Sequence, residues 1–264
     1  MSNEWYDVDS WQWVDNNNAQ WGFSGTIIVP SGVYYAMPNQ IWTDDTYVYV
    51  ATTSGLEIIS IETEERQSFI TCEGGCSTVW SDNTNIFVGT TTFGIKYFSQ
   101  SDIGPEDITT CLTDYAVYPS LTSNSIRYIH GNSNKLICCT IEGVDIIRRD
   151  THYITHSIIL GANKCFVTPN YDYYYYTVSG TVSSGTAPWY LYRLNGNRSD
   201  WVTPDIVYTT GSGFLTNSAC INDFYVTEHT SLSGLDNTIF MATDIGAYVY
   251  DEYSTESLLF TTSL

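Results

Sequence analysis

The chain has 264 residues, of which 29 are acidic and 9 basic, for a formal net charge of −20. Such a field repels phosphate backbones, and the densest basic stretch, Arg148-Arg149, is too short to release counterions, so nucleic acid is excluded as a partner. With 22 Tyr, 10 Phe and 8 Trp, and few of the usual helix formers, the composition suits pleated half-buried strands and predicts an all-β protein.

No segment reaches the roughly 18 apolar residues that span a bilayer, so membrane insertion is not expected. Residues Met1 to Asn18 begin acidic and lack an apolar core, which predicts no signal peptide and reduced thiols. The seven cysteines (Cys72, Cys76, Cys111, Cys138, Cys139, Cys165 and Cys220) are an odd number. Cys72 and Cys76 frame a C-x3-C spacing that no nearby histidine or second pair completes into a zinc site.

In chain order, residues 1–37 form an extended arm that holds Trp5, Trp11, Trp13 and Trp21. Trp11 and Trp13 alternate with polar neighbours and project from one face of an extended segment. The arm either packs across its own domain, with Thr26–Val29 adding a strand, or docks on a neighbouring protein through its aromatic anchors. The second is favoured because Leu258–Thr261 can already supply a last outer strand.

A repeat follows. Residues 45–60 (DTYVYVATTSGLEIIS), 83–99 (NTNIFVGTTTFGIKYFS) and 236–251 (DNTIFMATDIGAYVYD) share a polar turn, three apolar residues, Ala or Gly then Thr, a loop glycine and an apolar strand. A looser copy is KLICCTIEGVDIIRRD at 135–150, and the most diverged is YDYYYYTVSG at 171–180 with PWYLYRLN at 188–195. The loop glycines Gly55, Gly94, Gly143 and Gly246 are expected to adopt a backbone angle closed to other residues. Their spacings of 39, 49 and 103 residues, the last with room for one more copy, fit four-stranded propeller units.

Each hairpin takes an inner strand before it: Gln40–Thr43, Thr78–Ser81, Ser125–His130, Lys164–Thr168 and Cys220–Thr227. Each takes an outer strand after it: Gln67–Thr71, Ile108–Leu112, Tyr153–Ile158, Ile206–Thr209 and Leu258–Thr261. The expected architecture is a five-bladed β-propeller of four-stranded antiparallel blades over 38–264, preceded by the arm. In the fourth copy, alternation exposes two of the four tyrosines beside a Ser/Gly-rich loop, and Tyr174 and Tyr176 join the four arm tryptophans as candidate partner-binding residues.

The hairpin resembles the repeat of two-component-regulator propellers, a strand ending in Trp-Ile-Gly-Thr, two residues, Gly-Leu and an aromatic strand. Val88-Gly89-Thr90 with Gly94-Ile95, Val50-Ala51-Thr52 with Gly55-Leu56, and Met241-Ala242-Thr243 with Gly246 carry the likeness. Tyr49, Phe87 and Phe240 stand where that pattern has Trp. The resemblance implies a fold and brings no catalytic residue with it.

Hydrolase elbow, phosphate loop and dinucleotide motifs are absent, so no catalytic residue, cofactor or metal is expected. His152 and His156 would stand roughly 13 Å apart on one strand face, too far to chelate. A glycosidase reading would use Asp44, Asp82, Asp172 or Asp223 at a channel mouth, although Asp44 and Asp82 fall where Asp caps a hairpin turn. The favoured function is a non-enzymatic docking protein of a larger assembly, a phage head or tail accessory protein located in the virion. Its partners would be other proteins of the assembly or copies of itself. The alternatives are a lectin-like propeller bound to a host-surface glycan, a five-bladed glycoside hydrolase, and a cytoplasmic location.

Overall fold

The computed structural model describes residues 37–104, 116–117, 121–169, 173–179, 189–195, 204–209, 220–231, 234–243, 246–251 and 258–260. These residues build five four-stranded antiparallel sheets, each wound in chain order from its first strand to its fourth. Sheet one holds β1 (Pro38–Thr43), β2 (Tyr47–Thr52), β3 (Gly55–Ser60) and β4 (Arg66–Thr71). Sheet two holds β5 (Cys76–Ser81), β6 (Asn85–Thr90), β7 (Ile95–Ser99) and β8 (Ala116–Val117). Sheet three is β9 (Ile126–Gly131), β10 (Lys135–Thr140), β11 (Val144–Arg148) and β12 (Ile154–Ile158). Sheet four is β13 (Lys164–Val167), β14 (Tyr173–Ser179), β15 (Trp189–Asn195) and β16 (Asp205–Thr209). Sheet five is β17 (Ile221–Ser231), β18 (Gly234–Thr243), β19 (Gly246–Asp251) and β20 (Leu258–Phe260). Among the described residues the helical structure is a single 3-10 turn, Gln100–Asp102.

Two local devices recur. After the first strand, a side-chain oxygen gathers two backbone N–H groups: Asp44 Oδ1 accepts from Thr46 and Tyr47, both at 2.9 Å. Asp82 Oδ1 does so from Thr84 and Asn85, and Asn132 Oδ1 from Asn134 and Lys135. These are Asx turns, which stop the first strand and aim the second. Sheet five has Thr227 at this register position, and its hydroxyl instead donates to the Thr238 carbonyl at 3.3 Å. With no side-chain oxygen there taking up the next N–H groups, the ladder runs on, and β17 extends to Ser231 rather than ending at the expected Thr227.

The second device is the threonine of the repeat. Thr52, Thr90, Thr140 and Thr243 each donate from Oγ1 to the carbonyl of the loop glycine, Gly55, Gly94, Gly143 and Gly246. Gly94 and Gly246 have φ of 73° and 145°, as expected of them. Gly143 does not take a positive φ; space is what it supplies, since a Cβ there would meet the Ile158 carbonyl oxygen at 2.6 Å. Gly143→Ala should push β12 away from the loop and cost about 1–3 kcal/mol, read from chemical denaturation.

Four apolar cores lie between successive sheets. Tyr49, Ala51, Leu56 and Ile58 of sheet one pack on Val79, Ile86, Val88 and Phe98 of sheet two. Trp80, Phe87 and Ile95 meet Ile129, Leu136, Cys138 and Ile147 of sheet three. Sheet three turns its other face, Ile137, Cys139, Val144 and Ile146, to sheet four, which offers Phe166, Tyr175 and Leu191 to sheet five. A side chain fully buried in such a core contributes about 1.5–3 kcal/mol.

Two strand expectations change. The fourth strand of sheet two is Ala116–Val117, paired with Tyr97 and Lys96, while Ile108–Leu112 lies outside the described residues. Tyr174 and Tyr176 are 0% exposed and do not form a docking face. Alternation does hold, but sheet four has a neighbour on each face: Tyr174 and Tyr176 pack toward sheet three and Tyr175 toward sheet five.

Candidate functional site

The first strands β1, β5, β9, β13 and β17 lie side by side in that order. Their registers against the second strands place Trp42, Trp80, His130, Phe166 and Tyr225 at one equivalent position. All five are rings, and they touch. Trp42 lies 6.4 Å from Trp80 and crosses over it to His130 at 5.6 Å; His130 stacks on Phe166 at 4.1 Å, and Phe166 meets Tyr225 edge-on at 5.1 Å. Aromatic pairs at these separations add about 0.5–1.5 kcal/mol beyond their burial. Burial holds the His130 imidazole neutral, with its pKa lowered to about 3, and its Nδ1 accepts the Val167 N–H at 3.2 Å.

Two residues earlier on each strand runs a polar row: Gln40, Thr78, Tyr128, Lys164 and Asp223. Gln40 Oε1 accepts from the Thr78 hydroxyl and from the Val79 N–H, and Thr78 Oγ1 in turn accepts the Ile129 N–H at 3.1 Å. Lys164 lies over the Tyr128 ring at 4.1 Å and pairs with Asp223 at 3.7 Å. Each sheet is thereby tied to the next by polar contacts at this level.

The carboxylates considered for glycoside chemistry are engaged structurally. Besides its turn, Asp44 accepts through Oδ2 from Tyr49 (2.8 Å), Ser81 (2.6 Å) and Gln100 (2.6 Å). Burial alone would raise its pKa, but the Ser81 hydroxyl, the two turn N–H groups and Tyr49 together bring it below the ordinary value. A general acid for glycoside cleavage needs the opposite shift. Asp223 sits at the Gln40 position, four residues before the Asp44 position, hence roughly 13 Å away along the strand direction. Asp172 lies outside the described residues. Asp44→Ala removes five accepted hydrogen bonds and leaves buried donors unpaired, so a loss of about 2–3 kcal/mol is expected in urea titration.

His152 stands in the turn before β12, where Nδ1 lies 3.1 Å from the Tyr97 hydroxyl, and His156 is half-buried within β12. Both guanidiniums of the basic pair are neutralised, Arg148 by Asp150 and Arg149 by Asp82, so the pair presents no anion-binding patch.

Among the described residues, two sheet faces are partly uncovered. On sheet one, Ile41, Val48, Val50 and Ile59 occupy the positions of Val79, Ile86, Val88 and Phe98 in sheet two. Those of sheet two are at most 4% exposed, whereas Ile41 is 61% exposed. On sheet five, Phe240, Ala242 and Ala247 occupy the positions of the buried Tyr49, Ala51 and Leu56, yet Phe240 is 44% exposed and both alanines are exposed. Met37 adjoins the first of these faces, bonded to Thr53 through both its N–H and its carbonyl. The tryptophans Trp5, Trp11, Trp13 and Trp21 lie outside the described residues, upstream of that point.

Neither the ring row nor the open faces were visible as such in the sequence. The rings differ in identity, and only alignment of the first strands on Asp44, Asp82 and Asn132 sets Trp42, Trp80 and His130 in one column.

No protein-family model matches the chain, and no curated protein matches it. Among solved structures it is similar to the computationally designed Ika8 protein, with a TM-score of 0.50 and 11% identity over 84% of this chain and 60% of that one. It is also similar to the extracellular domain of a protein assigned as a one-component system from B. thetaiotaomicron, with a TM-score of 0.54 and 13% identity over 85% of this chain. The chain spans 60% and 30% of the lengths of these two proteins. At such identities the likeness is one of fold: an all-β array of repeated four-stranded antiparallel sheets.

Proposed function

We propose that the five sheets are blades of a β-propeller wound about the five first strands, and that the chain is a non-enzymatic docking protein of a larger assembly. The observation that carries this reading is the distribution of apolar surface. Where an enzyme or lectin of this architecture would keep the space between its first strands open for a ligand, Trp42, Trp80, His130 and Phe166 pack there in ring contact. Where a self-contained domain would bury its sheet faces, Ile41 and Phe240 face outward, 61% and 44% exposed. The segment of residues 1–37, with its four tryptophans, joins β1 beside that surface, and arm and open faces together form the docking region. The assembly that suits the Tyr- and Thr-rich, Lys-poor composition is a virus particle.

Removing residues 1–36 tests the reading. The shortened chain should still melt cooperatively, within about 1 kcal/mol of the full chain as for changes outside a core, but should no longer join its assembly. If the deletion unfolds the domain, the arm completes the fold and the docking role is lost. Hydrolysis of a glycan by the full chain would overturn the non-enzymatic reading.

A further inference from the structure

Each of the four cores between successive sheets joins two unlike faces. The leading sheet supplies one face, chiefly from its second and third strands, and the following sheet supplies the other from its first three. Between sheets one and two, Tyr49 and Ala51 of β2 pack on Val79 of β5 and on Ile86 and Val88 of β6. The two open faces are the same two halves. On sheet five, Phe240 and Ala242 of β18 stand where sheet one has Tyr49 and Ala51: a ring again, and again an alanine that lets the partner sheet come close. On sheet one, Ile41, Val48 and Val50 stand where sheet two has Val79, Ile86 and Val88, branched aliphatic residues in both.

The likeness extends to a charged position. Glu57 lies opposite Val50 on the open face of sheet one, and its counterpart opposite Val88 is Lys96, which is only 7% exposed on the sheet-two face that meets sheet one. A charged side chain at that position is therefore compatible with sheet-on-sheet packing. Within one chain the two halves do not meet. Among the described residues β1 and β5 lie side by side, as do β13 and β17, but β17 and β1 do not.

We propose that the open faces pair between copies of this chain, sheet five of one copy packing on sheet one of the next as sheet one packs on sheet two. The inference rests on the reading of these faces as the docking surface and names a second copy as their occupant. Such a contact joins two different patches, so each copy keeps one free face and can recruit another; the array closes into a ring or continues as a filament. Both halves are apolar and each copy carries a charge of −20, so burial drives the pairing and charge opposes it. Association should tighten several-fold as the screening length falls from roughly 30 Å at about 0.01 M salt to roughly 3 Å at about 1 M. A contact made by opposite charges would weaken instead, and that result would count against the proposal.

Sedimentation and light scattering of the full chain over a concentration series test this, with Ile41→Lys and Phe240→Lys made as separate variants. Both positions are exposed in the single chain, so each variant should keep the wild-type melt. The wild type should grow beyond the mass of one chain as concentration rises. Each variant would bury an unpaired ammonium in the contact and should self-associate about a hundredfold more weakly or worse. Mixed together, the two variants should form a species of two chains and nothing larger. The intact sheet five of Ile41→Lys meets the intact sheet one of Phe240→Lys, and both remaining faces are blocked. The proposal is overturned if the wild type stays monomeric throughout, if either variant grows as the wild type does, or if the mixture stays monomeric. A monomeric wild type that still enters the particles of its source overturns the pairing of copies alone and leaves the docking reading in place. A monomeric wild type whose Ile41→Lys variant melts well below it overturns the pairing in favour of closure of the two faces within one chain. Self-association without entry into any particle upholds the pairing and strikes the virus-particle reading.

Discussion

Arg149→Met is expected to destabilise the protein by about 3–5 kcal/mol, the cost of removing one partner from a buried ion pair. For a chain of this size that lowers the melting temperature by roughly 6–20 °C. Arg149 follows β11 of sheet three, and its guanidinium pairs with Asp82 of sheet two, with only 14% of either side chain exposed. It also donates to the Asn132 carbonyl at 2.6 Å and lies over Trp80 and Phe87, 5.2 and 5.7 Å from the ring centroids. Methionine keeps much of the apolar contact but leaves the largely buried Asp82 carboxylate without its cation. Because Asp82 still accepts its two turn N–H groups, Asp82→Asn should retain the turn and lose the pair. Thermal melts of both single variants and the double variant check this: the double variant should cost clearly less than the sum of the singles.

Acid should destabilise the folded state through His130. The unfolded chain takes up the imidazole proton near pH 6.5, whereas the folded protein holds it off until about pH 3, because burial opposes the charge. Between those values the unfolded state binds more protons, so stability is complete above 6.5, falls as pH falls, and stops falling on this account near 3. The slope is about 1.4 kcal/mol per pH unit, so near pH 5 roughly 2 kcal/mol is gone. In the folded protein the ring is enclosed by Trp42, Trp80 and Phe166, with no carboxylate in contact among the described residues. His130→Phe keeps the ring contacts and loses the titration. Its urea midpoint should change less between pH 7 and pH 5 than that of the wild type, and equal changes would show that His130 is not held neutral by the fold. Asp44 acts lower on the scale: its depressed pKa contributes stability above the usual carboxylate value, lost only as pH falls below about 4.

Much of the fold could be read from the repeat because the repeat is a set of backbone requirements. A threonine that closes a loop glycine, as Thr90 does for Gly94, and an Asp that gathers two N–H groups, as Asp82 does, leave short fixed spacings in the sequence. Gly143 shows where such reading fails, since a glycine needed for space and one needed for its backbone angle are the same letter. The tyrosines of β14 show a second limit. Alternation gives the face of Tyr174 and Tyr176 but not whether that face is covered; sheet three covers it, and contact between sheets is a long-range fact. The same limit applies to Ile41 and Val79, equivalent in register, of which one is exposed and the other buried. The Cys72–Cys76 spacing was legible, while the burial of both thiols depends on the turn that Gly74 and Gly75 allow.

The measurement that bears most directly on the docking account compares the full chain with an Ile41→Lys, Phe240→Lys double variant, each mixed with the particles of its source and weighed by sedimentation and light scattering. Both positions are exposed, so the variant should melt within about 1 kcal/mol of the wild type. The account predicts that the wild type enters a very large particle and that the equally folded variant remains a free monomer. Entry of the variant to the same extent as the wild type, with its melt unchanged, would contradict the assignment of these faces as the docking surface.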